Sequence, residues 1–218
     1  MSVVASTAAA AQNPHRLGYR GLGPHPSDHG RSPKRIIVGY GFWIFLLSDF
    51  VMFSGFFAAF AVLSGAYAGG PSGRELFDIH NIGVETGCLL LSSVASGMAS
   101  LAVDARNAVW TQLMLIVTGL LGLVFIVLEV REFSGLIDQG AGPQRSAFLS
   151  SFFALVGCHG LHVSAGLLWL GTMMAQIYAK GFTPNMIRRF MCFSLFWHAL
   201  DIIWVGVFTV VYLMGVAR

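Results

Sequence analysis

Residues 190–215 read FMCFSLFWHALDIIWVGVFTVVYLMG, and the fold turns on how this stretch is understood. A helix needs about 20 apolar residues to cross a bilayer, and the stretch supplies them without a proline. Near its middle stand His198 and Asp201. Ionisable side chains at that depth are costly unless they face protein. Three residues apart on a helix they share one face, so that face is predicted to look into a bundle rather than into lipid.

Four further apolar segments precede it, at about residues 37–65, 82–103, 110–130 and 147–178, each long enough to span. Composition agrees with this reading. The 218 residues are 56% hydrophobic and 11% charged, against roughly a quarter charged in soluble domains. The expected fold class is all-α: a polytopic membrane protein built as a bundle of five transmembrane helices, the last at about 190–215.

Residues 1–35 are rich in Ala, Gly, Pro, Ser and His and lack apolar periodicity, the pattern of a disordered arm; the transmembrane domain is set at 36–218. The early run VVASTAAAA has no basic residue ahead of it, so a cleaved signal peptide is not expected and the arm is retained. His15, His25 and His29 within it read as solvated tail rather than a metal site.

The seven prolines fall outside the apolar segments, and no internal repeat is evident. Discontinuous helices and inverted repeats are common devices of carriers, so a self-contained carrier is disfavoured. Basic residues set the orientation. Arg16, Arg20, Arg31, Lys34 and Arg35 precede the first span, Arg106 follows the second, and Lys180, Arg188 and Arg189 separate the fourth from the fifth. The positive-inside rule then puts the N-terminus in the cytoplasm and the C-terminus outside. The net charge of +3 comes from these loops and does not suggest nucleic acid. Cys88, Cys158 and Cys192 lie in apolar runs without C-x-x-C spacing, which argues against a disulfide framework or a zinc site.

Small residues suggest helix contacts: Ser92, Ser96 and Ser100 recur at every fourth position, with Gly119 and Gly122 on the third span and Gly157 and Gly160 on the fourth. The phenylalanines of the first span read as spread around the helix. At a rise of about 1.5 Å per residue in a hydrocarbon core of about 30 Å, Asp49, His159, His162, His198 and Asp201 all fall at middle depth. They are predicted to form a polar intramembrane cluster. Glu85 and Glu129 lie nearer the outer ends of their spans and are expected to reach the interface. Three uses of the cluster stand open: a metal or haem site, a proton relay, and a packing group that fixes helix register. Packing is preferred, because His159 and His162, spaced at i and i+3, have no second histidine motif and no cysteine ligand beside them, and metal ligands in this chain are predicted to be none.

The spans GFWIFLLSDFVMFSGFFAAFAVL, VETGCLLLSSVASGMASLA, FFALVGCHGLHVSAGLLWLG and FSLFWHALDIIWVGVFTVVYLMG together resemble subunit III of the haem-copper terminal oxidases, over about residues 37–215. The pairing of G-x-H-G-x-H-V at Gly157–Val163 with W-H-x-x-D-x-x-W at Trp197–Trp204 is the specific part. GPQRSAFLSSFFALVG and the last span look most like the bo-type ubiquinol oxidase branch. The resemblance implies five helices in a bacterial inner-membrane complex with subunits I, II and IV. It places haems and copper in subunit I, leaves this chain without a redox cofactor or catalytic residue of its own, and implies bound phospholipid. Trp43, Arg106 and Trp110 are the expected lipid neighbours. Asp49 stands where the cytochrome c oxidases usually have a carbodiimide-reactive glutamate, so an acid is kept and its reactivity is in doubt. Subunit III of a cytochrome c oxidase and an independent proton-linked channel remain as alternatives.

Overall fold

The computed structural model describes residues 34–66 and 79–213. The arm read over residues 1–35 lies almost wholly outside these. The described residues from Val38 onward form one compact unit. Five long helices follow in order: α1 (Lys34–Leu63), α2 (Ile79–Asp104), α3 (Ala108–Asp138), α4 (Ala147–Lys180) and α5 (Pro184–Val207), which runs on into a π-helical turn at Phe208–Leu213. All five are long and apolar enough to cross a membrane.

The helix ends follow capping chemistry rather than hydropathy. Asn107, Ser146 and Thr183 each offer a side-chain oxygen to the backbone N–H three residues on, at 3.2 Å, satisfying a donor that the first turn leaves without a partner. Pro184 then occupies the first turn of α5, where its missing N–H is not needed. This is why α5 begins six residues before the apolar stretch at Phe190. Helix α3 outruns its apolar segment for a related reason. Its backbone bonds continue through Arg131 and Glu132 to Asp138, because polar side chains end a hydropathy window without ending a helix. Gly140 follows at φ 74°, a conformation that suits glycine.

Helices α2, α3, α4 and α5 close a ring of contacts, each touching the next and α5 returning to α2. Helix α1 stands beside this ring, the least buried of the spans, whereas α5 is the most buried. Aromatic side chains make the join: Phe42 meets Trp169 with ring centroids 5.9 Å apart, Phe60 meets Phe148 at 5.8 Å, and Phe57 lies over Gly206. Leu46, Phe53 and Phe60 are all buried, and their seven-residue spacing forms one stripe. The first-span phenylalanines are therefore not evenly spread, as the sequence had suggested: Phe53 and Phe60 are buried, Phe42, Phe50, Phe56 and Phe57 pack half-buried against the core, and Phe45 is exposed.

At the centre of the ring Trp197 is wedged between helices. A Cβ on Gly122 of α3 would lie 3.0 Å from its ring, and one on Gly166 of α4 also 3.0 Å. Glycine here makes room for an indole rather than for a neighbouring backbone.

Candidate functional site

Helices α2 and α5 run past one another along a polar seam. Trp204 Nε1 donates to Thr86 Oγ1 at 3.1 Å, Ser93 Oγ and His198 Nδ1 share a hydrogen bond of 2.7 Å, and Ser100 and Ser194 join hydroxyls at 3.2 Å. Beside these, Trp197 Nε1 donates to Ser92 Oγ at 3.1 Å. The carboxyl of Asp201 lies near the Ser93 hydroxyl. Asp201 is 7% exposed, and its Oδ2 has no hydrogen-bond partner among the described residues. Hydrogen bonds between helices hold register where lipid offers no competing partner.

His159 and His162 belong to a different neighbourhood. His159 is fully buried, edge-on to Phe53 and Phe125 and stacked on Trp204 at 5.1 Å. Neither of its ring nitrogens has a hydrogen-bond partner among the described residues. His162 donates from Nδ1 to the Cys158 carbonyl at 2.8 Å, one turn back on its own helix, and its ring meets Phe53 at 5.3 Å. Asp49 of α1 is within electrostatic reach of His162. The five mid-depth residues thus divide. His198 bonds Ser93 with Asp201 one turn away, Asp49 approaches His162, and His159 is boxed among aromatic rings.

Glu85 and Glu129 depart from expectation. Depth alone had put them at the interface, yet they are 2% and 3% exposed. Their side chains turn inward between helices. Glu129 Oε1 lies where a Cβ on Gly160 would come within 2.6 Å, so a larger residue there would displace the carboxyl. The three carboxyl groups of Glu85, Glu129 and Glu132 influence one another, and Tyr212 from the π-helical turn donates to Glu132 Oε2 at 3.3 Å. A cavity of about 380 Å³ opens beside them, lined by Asn81, Glu85, Arg131, Glu132 and Gln139 among others.

Trp43 and Trp110 are about half exposed, and Arg106 sits at φ 52° between α2 and α3. None of the three lines the apolar groove of about 440 Å³ that runs along Val109, Leu113 and Tyr178. Cys88, Cys158 and Cys192 are free thiols. Among the described residues, no set of three or more His, Cys, Asp or Glu side chains converges as metal ligands do.

Residues 27–216 match the family described as cytochrome c oxidase subunit III. The chain belongs to this family. Among its relatives, the cytochrome bo(3) ubiquinol oxidase subunit 3 of Pseudomonas aeruginosa is 50% identical over 206 residues, covering 94% of this chain and 98% of that protein. The protein of the same name from Pseudomonas putida is 53% identical over 176 residues, 81% of this chain and 85% of its own length. The quinol oxidase subunit 3 of Bacillus subtilis is 40% identical over 190 residues, 87% and 93% of the two chains. Subunit III family membership makes this a multi-pass membrane chain that works within an oxidase complex. It is this membership, rather than the geometry, that separates an oxidase subunit from a self-contained carrier.

Proposed function

We propose that this chain is subunit III of a proton-pumping ubiquinol terminal oxidase in a bacterial inner membrane, with its N-terminus in the cytoplasm and its C-terminus in the periplasm. The complex oxidises ubiquinol, reduces dioxygen to water and moves protons; its haems and copper reside in subunit I, and subunits II and IV complete it. The observation that carries this reading is the 50% identity, over 94% of the chain, to a protein named for a ubiquinol oxidase. Purification through a tag on this chain tests it. The expected product is a haem-containing complex that oxidises ubiquinol; a complex that oxidises cytochrome c instead would move the chain to the cytochrome c oxidases.

The chain's own part in that complex is to stabilise subunit I and to hold phospholipid beside it. Support for the lipid comes from a cavity of about 470 Å³ where α1 meets α4 and α5, lined by Phe42, Trp169, Arg188, Arg189 and Cys192 among others. Two guanidinium groups at its mouth suit a phosphate, and the rings below suit acyl chain. Removing the chain is expected to leave normal haem spectra in an enzyme that inactivates during turnover. Lost haem signals with subunit I still fully assembled would contradict this role.

A further inference from the structure

The α2–α5 seam is finished on its inner side and open on its outer one. His198 lies at the midpoint of the span Pro184–Leu213, and Ser93 near the midpoint of His80–Asp104. His198 spends Nδ1 on Ser93; Nε2 has no partner among the described residues, and the ring is only half buried. One turn further, Asp201 Oδ2 also has no partner among the described residues, but it is enclosed within the chain, so the accessible unsatisfied atom of the seam is His198 Nε2. The surface around them is accessible: Ile202 is 65% exposed, Val205 is exposed, and a Cβ on Gly97 would meet nothing within 4 Å.

At the midplane a lipid offers only hydrocarbon, which satisfies neither an imidazole nitrogen nor a carboxyl oxygen. Polar side chains persist there when they face protein. The small residues Gly97, Ser100 and Ser194 beside the seam allow another backbone to approach closely. We propose that a transmembrane helix of another oxidase subunit docks on the open side of this seam, presenting a hydroxyl or amide side chain at mid-membrane depth to His198 Nε2. The inference rests on the proposed function above, and it adds the docking face and the chemistry of what docks there.

The test uses the intact complex, purified with a photo-reactive benzoylphenylalanine at Ile202 and, in a second preparation, at Gly97. Both positions point away from the bundle core, so folding is not at issue. On irradiation this chain is expected to shift in gel mobility by the mass of a second subunit, with the adduct mapping to one transmembrane helix of that subunit. Adducts to lipid alone, or none, in a complex that is otherwise intact would overturn the inference while leaving the proposed function standing. No copurifying subunit at all would overturn both.

Discussion

The carboxylate of Glu129 occupies the space that a side chain on Gly160 would need: Oε1, Oε2 and Cδ would lie 2.6, 2.7 and 2.9 Å from a Cβ there. Glu129 is 3% exposed, so a side chain at Gly160 would drive its carboxyl out of this buried position toward the adjoining cavity of about 160 Å³. Gly160→Ala is therefore expected to destabilise the α3–α4 contact by about 1–3 kcal/mol, the usual range for overpacking a filled site. Gly157→Ala is a control on the same helix, because its Cβ would meet Phe133 at an ordinary 3.5 Å. Thermal dissociation of the purified complex compares the two, and equal midpoints would refute the argument.

Trp197 is held by shape and by one hydrogen bond. Its ring fits between Gly122 and Gly166, and its Nε1 donates to Ser92. Trp197→Ala leaves a cavity at the centre of the ring of helices, with an expected loss of about 3–5 kcal/mol. Ser92→Ala removes only the acceptor, and about 1–2 kcal/mol is expected, in the range of interhelical hydrogen bonds in membranes. Retention of this subunit through detergent washing ranks the two variants; a Ser92→Ala loss as large as that of Trp197→Ala would show that the bond, not the packing, dominates.

Hydropathy made the five spans legible because length and apolarity suffice to specify a membrane crossing. It could not give the ends of α3 and α5, which depend on capping residues such as Thr183 and on polar residues that remain helical. Depth brought Asp49, His159, His162, His198 and Asp201 together on paper, but depth is one coordinate, and rotation about each helix axis separates them. Rotation also carried Glu85 and Glu129 inward. One signal was present and not used: Thr86, Ser93 and Ser100 recur at seven-residue spacing, and these are the residues that meet Trp204, His198 and Ser194. The four-residue spacing of Ser92, Ser96 and Ser100 drew attention to the adjacent row.

His159 separates packing from proton transfer. Both ring nitrogens lack hydrogen-bond partners, and aromatic rings surround it. Replacing an unsatisfied polar group by an apolar one of similar shape is close to neutral or stabilising. His159→Phe is accordingly expected to assemble normally and to leave the protons moved per electron unchanged in reconstituted vesicles. A normal complex yield with a reduced proton ratio would instead assign the imidazole to a relay.

Asp201→Asn gives the complementary measurement. The amide keeps the size of the carboxyl, but it turns one of two acceptor oxygens into a donor. If Asp201 works by holding helices together, the mismatch falls on whatever faces Oδ2, and the recovered complex is expected to drop roughly fivefold, the effect of about one interhelical hydrogen bond. Proton movement per electron in the complex that does form is expected to match the parent. Ser93→Ala, which removes the hydroxyl bonded to His198, is expected to lower recovery at least as far. An undiminished yield of Asp201→Asn with selectively lost proton movement would show that the seam conducts rather than joins.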